Sequence, residues 1–319
     1  MRTSAAQTLG EDHVAGRDAA SVREAAARNH SRAIPTQETS IAVQGAVFDQ
    51  VVDRAALRRA ARQCMGRLGG PGLDGMTWRQ YRDGFRARID ALSCRLRNLS
   101  WHPSRTRNAT LFFADKNLDI VVPTVEDRIV HRAVRNVLEP LIAHQCKPFV
   151  FGWVPRRPWR SAVQMAGRYL VTNRWTVDAD VYRVTCGAAV EEVLEWLRPY
   201  TADVHLLRLV ALILSSLPRP LAPGSGLTPM LTNLRLMPVD LALCAYRVVR
   251  YTDNYCIFTA NSYDAHNTRA ALDVALAALH LDVNEDKSCV RWNPDPNELF
   301  GSGCLTFPRD THGDGRPGG

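Results

Sequence analysis

The stretch Val248–Ala260, VVRYTDNYCIFTA, sets two runs of β-branched and aromatic residues on either side of Thr252-Asp253-Asn254. Runs of this kind around a short polar break read as an antiparallel hairpin, with alternate side chains on opposite faces of a sheet. The break carries one carboxylate, Asp253, and beside it an uncharged amide, Asn254. A carboxylate at the turn of a hairpin packed into a core is costly unless something pairs with it. A metal ion would do so, but a site built from hard oxygen ligands ordinarily draws on more than one carboxylate. The second has to come from elsewhere in the chain.

The stretch Arg174–Val184, RWTVDADVYRV, supplies the candidates. Read as a strand, it places Asp178 and Asp180 on one face and Ala179 on the other. If this strand lies beside the hairpin, one of the pair can share a metal with Asp253. Mg²⁺ takes such ligands, and two ions about 4 Å apart stabilise the attacking and leaving oxygens in phosphoryl or nucleotidyl transfer. Spacing alone favours the simpler alternative of surface carboxylates at strand ends.

Around these strands the pattern alternates between helix and strand. Residues 1–45 are rich in Ala, Arg, Ser and Thr with little apolar periodicity, and are expected to stay outside the fold as a disordered segment. Helices are expected over Val47–Leu68 and from a Thr77 cap to about Leu99, and two strands over residues 109–122. The stretch PTVEDRIVHRAVRNVLEPLI, with acidic residues in its first turn, opens a long helix. Further helices are expected over Ser161–Leu170, Glu191–Tyr200, His205–Ser216, Met230–Ala245 and Tyr263–Leu279, with a strand at Leu281–Val283. Interleaved strands and helices, with the halves of one small sheet far apart in sequence, indicate an α+β or α/β architecture.

The 319-residue chain is 46% hydrophobic, which suits a packed core. Lys and Arg outnumber Asp and Glu by 40 to 32, a formal charge of +8 that favours a polyanionic partner as readily as it fits arginines on solvated faces. Eight cysteines lie without a C-x-x-C pair or Cys/His cluster, as expected for reduced, mostly buried thiols in a cytoplasmic protein. The N-terminus lacks the apolar core of a signal peptide, and the apolar run LLRLVALILSSL falls short of the roughly 20 residues of a spanning helix. No association with a membrane is expected.

Seven stretches occur in a telling order: GGPGLDGMTW, VPTVEDRIVHRAVRNVLEP, FGWVPRRPWRSA, RWTVDADV, GSGLTPMLTNLRLMPVDLAL, VVRYTDN and LDVNEDK. Together they resemble the ordered blocks of reverse transcriptases, most closely those of bacterial group II introns and their retron-like relatives. The resemblance runs from about Val47 to Thr306. It implies a right-hand polymerase fold of fingers and palm over residues 46–306, with helices on a small, mainly antiparallel sheet and a flexible tail at 307–319. It further implies RNA-directed DNA polymerase activity by a two-metal mechanism with Mg²⁺ or Mn²⁺, acting on an RNA template or intron RNA and a DNA or RNA primer.

By the same resemblance, Asp180 and Asp253 are the catalytic metal-binding carboxylates. Val181 lends a carbonyl to the metal, and Asn254 stands where a further metal Asp is usual. Asp178 matches a common non-catalytic acid. Lys287 matches a lysine near the incoming nucleotide's phosphates, a candidate proton donor to pyrophosphate. Tyr251, Thr185, Gly224 and Lys116 match nucleotide- and template-binding positions. Arg128, Arg132, Arg135, Arg156, Arg157 and Arg160 are candidates for backbone phosphates, and Trp153 and Trp159 for stacking or for core packing.

The departures from the family pattern cluster on chemistry. An aromatic that screens the sugar becomes Thr185, a triphosphate-gripping Arg becomes Leu118, a Gln becomes Pro223, another Arg becomes Val154, and the second hairpin Asp becomes Asn254. The resemblance therefore implies a retained fold with an impaired or altered active site, or a catalytically silent RNA-binding remnant of an intron-encoded maturase. Beyond LFGSGCLTFPRD only a short, flexible tail is expected, without a thumb, a maturase region or an endonuclease module.

Overall fold

The computed structural model describes residues 47–66, 69–113 and 117–300. The segment boundaries expected at 45/46 and 306/307, and Lys116, lie outside them. The architecture is α+β. In chain order the elements are α1 (Val47–Val52), α2 (Arg54–Met65), α3 (Trp78–Arg82), α4 (Phe85–Arg97), β1 (Arg107–Phe112), β2 (Asn117–Val122), α5 (Val125–Gln145), β3 (Val150–Phe151), α6 (Trp159–Leu170), β4 (Trp175–Tyr182), α7 (Val190–Leu197) and α8 (Val204–Ser215). They continue with α9 (Thr228–Ala242), β5 (Arg247–Tyr251), β6 (Asn254–Thr259), α10 (Ser262–Ala277), β7 (Asp282–Val283) and β8 (Cys289–Trp292).

Two of the expected helices are each divided in two. Asp53 interrupts the first because its carboxylate caps α2, accepting the Ala56 N–H at 2.9 Å. Thr77 caps α3 through a reciprocal capping box with Gln80, but the helix ends at Arg82 and the chain restarts after Gly84. The long helix α5 begins as its acidic first turn predicts, capped by Thr124. Of the seven described cysteines only Cys146 and Cys256 are buried, against the expectation of mostly buried thiols. Cys94, Cys244 and Cys289 are exposed, on α4, just past the end of α9 and on β8. Among the described residues no helix is long and apolar enough to cross a membrane.

β1 and β2 form a separate antiparallel ribbon, whereas the other strands make one sheet in the order β3-β5-β6-β4-β7, with β8 also on β4. Every pairing in that sheet is antiparallel except β3 with β5. Strand alternation divides its two faces cleanly. Val177, Ala179 and Val181 of β4, Val248 of β5, and Tyr255 and Ile257 of β6 pack with α9 and α10. Val249, Cys256 and Phe258 face the other way, against Ala162, Ala166 and Leu170 of α6. The remaining helices build a second core around α5, and α9 joins the two: Met230, Leu231 and Leu234 sit in the helical core, Leu236, Val239 and Leu243 under the sheet.

One position on the α9 face is charged. Arg250 lies between Val249 and Tyr251 and is fully buried. Its guanidinium makes a two-pronged contact with Asp240 of α9 at 2.8 and 2.6 Å, and donates to Asn233 Oδ1 at 3.0 Å and the Thr252 carbonyl at 2.6 Å. Tyr255 adds its hydroxyl to Asp240 at 3.1 Å. Burial opposes the charge on Arg250, but the Asp240 carboxylate more than offsets it and holds the guanidinium above its ordinary pKa. Removing one partner of such a pair leaves the other buried and unpaired, at a cost of about 3–5 kcal/mol. Arg250→Met is expected to destabilise the protein by that amount in urea unfolding, and pairing it with Asp240→Leu to recover most of the loss.

His131 of α5 is buried in the helical layer, and neither ring nitrogen has a hydrogen-bond partner. Burial, and then the nearby Arg128, push its pKa from 6.5 down to about 4. Its neutral burial therefore contributes stability above pH 6.5 that is lost as pH falls towards 4, by about 3 kcal/mol for a shift of this size. Asp127 acts oppositely: burial raises its carboxyl from 3.8 to about 6, so its contribution is complete below 3.8 and is lost as pH rises through 6. His131→Leu is expected to flatten the acid side of the stability profile below pH 6.5, measured by denaturant midpoints from pH 4 to 8.

Candidate functional site

β4 lies beside the hairpin strand β6 with Asp180 directly opposite Asn254 and Asp178 opposite Cys256. On β5, Tyr251 pairs with Asn254. Tyr251, Asn254 and Asp180 therefore form a row of side chains across three strands, on the face away from α9. Asp253 stands in the turn next to Asn254, and its carbonyl accepts the Val181 N–H at 3.0 Å, tying the turn to the end of β4. Two carboxylates about 70 residues apart in sequence thus share one end of one sheet.

The turn is fixed from behind. Thr252 has φ +57, a left-handed conformation that a β-branched residue adopts only under constraint. Its carbonyl is held by Arg250, its N–H donates to the Phe151 carbonyl at 3.0 Å, and its hydroxyl lies 2.8 Å from Asp253 Oδ1. Gly152, at φ +74, leaves room for it: a Cβ there would meet Thr252 Cγ2 at 2.7 Å and its N at 2.8 Å. The Asn254 amide is a longer 3.5 Å from the same Asp253 oxygen.

Asp180 is held from the opposite side. The Asn284 N–H donates to its carbonyl at 2.8 Å, the Asn284 side-chain amide donates to its Oδ1 at 3.1 Å, and its own N–H donates to Ser288 Oγ at 3.0 Å. Asp178 faces the same way as Asp180 but lies deeper, 4% exposed, with Arg291 at 3.6 Å and the Cys256 thiol at 3.5 Å. Burial pushes its carboxyl up, and Arg291 draws it partly back. Of the two acids on this strand, Asp180 alone stands in the row with Asn254.

The remaining expected residues are distributed around this end. Val181 buries its side chain on the α9 face. Thr185 is half-buried in the loop after β4, which Arg235 of α9 grips through the carbonyls of Val184 and Cys186 at 2.7 and 2.6 Å. Gly224, at φ +96, packs so closely on β2 that a Cβ would overlap the Val121 carbonyl, while the Val121 N–H donates to Pro223 at 2.8 Å. Lys287 is exposed on a short 3₁₀ turn, Glu285–Lys287. Trp159 packs edge-on against Tyr251 and Phe300 with ring centroids 4.9 and 5.5 Å away, a core role, whereas Trp153 is exposed.

The arginines divide sharply. Arg128 binds the carbonyls of Pro123 and Gly70 and lies over the Trp78 ring. Arg132 bonds Gln63 at 2.9 Å, Arg135 pairs with Glu139 at 2.5 Å, and Arg157 donates to the carbonyls of Lys147, Val150 and Cys146. Arg156 and Arg160 are exposed. The positions that sequence reasoning missed are Asn284 and Ser288, which hold Asp180, and the group Asn233, Asp240 and Arg250. The signal for the latter was an Arg inside an apolar strand and an Asp in an apolar helix ten residues earlier.

No protein-family model matches this chain, and no curated protein matches it. Among the described residues no three His, Cys, Asp or Glu side chains converge as a metal-binding group. Asp180, Asp253 and Asn254 at this end of the sheet carry hard oxygen donors, the type that Mg²⁺ and Mn²⁺ take. A pair of ions would lack the charge of a third carboxylate.

Arg157→Ala is expected to cost about 2 kcal/mol in urea unfolding, because three backbone carbonyls lose a charged donor. Arg160→Ala should stay within about 0.5 kcal/mol of the parent.

Proposed function

We propose that this chain is a reverse-transcriptase-like protein, comprising the fingers and palm of a right-hand polymerase. On this reading it engages an RNA template and a primer, and its capacity for nucleotidyl transfer is reduced. The observation that carries the reading is the register: Asp180 stands opposite Asn254, beside the Asp253 turn, at one end of a sheet backed by α9 and α10. The seven ordered sequence stretches support it independently.

In this reading Asp180 and Asp253 would hold one divalent cation, Mg²⁺ or Mn²⁺, which would supply charge neutralisation at phosphate and activation of a primer 3′-hydroxyl. Tyr251 lines the floor beside Asn254, rigidly packed on Trp159. Thr185, on the loop that Arg235 grips, takes the place of a bulkier sugar-screening side chain. Gly224 sets the loop 217–227 against the β1–β2 ribbon, so that a template strand and the ribbon meet over a defined backbone. Of the six arginines considered for phosphates, Arg156 and Arg160 are the exposed ones, and exposed Lys287 is the candidate to meet a leaving pyrophosphate.

Asn254 is the weak point for chemistry, since an amide offers an oxygen but no charge. Asn254→Asp is expected to raise primer extension on an RNA template by at least about tenfold, equivalent to roughly 1.4 kcal/mol of transition-state stabilisation, and Asp180→Ala to abolish it. Extension by neither the parent nor Asn254→Asp, in Mg²⁺ or Mn²⁺, would exclude the polymerase reading. Salt-sensitive RNA binding retained in that case would favour a catalytically silent RNA-binding protein of intron-encoded ancestry.

A further inference from the structure

We infer that Asn284 is the positioning residue of the cation site, orienting the Asp180 carboxylate through its side-chain amide. The inference rests on the reading of Asp180 and Asp253 as cation ligands. Its basis is a double attachment: the backbone N–H of Asn284 donates to the Asp180 carbonyl at 2.8 Å, and its side-chain amide reaches Oδ1 of the same residue at 3.1 Å. Because the two backbones are joined, the carboxylate cannot rotate away without breaking the amide contact.

Asn284 is itself held. Its carbonyl accepts the Lys287 N–H at 3.1 Å across the 3₁₀ turn, and Ser288, at the far end of that turn, returns its hydroxyl to the Asp180 N–H at 3.0 Å. The segment 284–288 therefore closes around Asp180 on one flank of β4, while the Asp253 carbonyl binds the Val181 N–H on the other. Residue chemistry makes the arrangement specific. An amide N–H donates to an ionised carboxylate and adds no charge, so it fixes the ligand without competing for the cation. An aliphatic residue would leave the carboxylate free to rotate, and an acidic one would place like charge 3.1 Å from it.

The full-length protein tests this directly, by titration with Mn²⁺ read from the free-ion paramagnetic signal and by thermal melts with and without Mn²⁺. Asn284→Ala is expected to weaken Mn²⁺ binding by about tenfold, the scale for loss of a hydrogen bond that orients a metal ligand, with little change in the cation-free melt. Asn284→Asp should lower the cation-free melting midpoint, through repulsion from Asp180, and gain more from Mn²⁺ than the parent does. A purely structural asparagine would show the first of these effects without the second. Should Asn284→Ala fail to fold, the Mn²⁺-dependent recovery of Asn284→Asp still decides the question. Mn²⁺ affinity and Mn²⁺-induced stabilisation equal to the parent in the folded variants would overturn the positioning role while leaving the cation site intact. Absence of Mn²⁺ binding in both the parent and Asn254→Asp would overturn the cation reading and this inference with it.

Discussion

The buried ion pair between Arg250 and Asp240 is the contact on which the hairpin end of the sheet depends. A guanidinium with no exposed surface requires an anion and further acceptors, and α9 provides both through Asp240 and Asn233. The same guanidinium reaches past the end of β5 to the Thr252 carbonyl. A turn residue in a left-handed conformation is thereby tied to a helix in the core, and Asp253, the next residue, inherits that placement. A buried pair of this kind adds little net stability over well-packed apolar residues, because desolvation offsets most of the attraction. What it does fix is geometry: one guanidinium joins Asp240 and Asn233 of α9 to the carbonyl of the hairpin turn.

The two flanks of β4 extend the same logic to Asp180. The Val181 N–H bonds the Asp253 carbonyl on one side, and Asn284 and Ser288 bind Asp180 on the other. α9 takes part a third time through Arg235, which secures the loop carrying Thr185. One helix thus braces the hairpin turn and the loop after β4, and it does so with polar side chains emerging from an otherwise apolar surface. That explains a helix buried nearly all round rather than along one stripe. The two carboxylates of the site are thus placed by contacts from several elements: Asn284 and Ser288 hold Asp180, and the Thr252 hydroxyl and the Val181 N–H hold Asp253.

Much of this was legible in the chain. The alternation in RWTVDADVYRV puts Asp178 and Asp180 on one face, and the pattern around Asp253 forms the hairpin β5–β6. The start of α5 follows from its acidic first turn, and the bounds of α6 and α8 follow from periodicity to within about two residues. Two helices were read as unbroken because the Asp53 cap and the stop at Gly84 lie inside otherwise continuous periodic stretches, where period outweighs a single polar residue. Exposure was read less well. Cys94 and Cys289 are exposed despite a residue type that favours the interior, and Arg128, Arg132, Arg135 and Arg157 bind protein acceptors rather than standing open as a phosphate-binding face. A sequence reports the charge of an arginine but not the carbonyls within its reach.

The sequence by itself determined the periodic elements, the face on which each strand residue lies and the identity of the two acids, since those depend on local spacing and residue type. Strand alternation leaves open which acid joins the hairpin; the resemblance favours Asp180, and the tertiary structure places it there. Asp178 and Asp180 share a face, and alternation cannot tell them apart. The antiparallel register sets Asp180 against Asn254 and buries Asp178 beneath, beside Arg291. Register is a long-range property fixed by how Val177, Ala179 and Val181 pack on α9 and α10. For the same reason Asn284, more than 100 residues from Asp180, became a partner only when the segment after β7 folded back along the edge of β4.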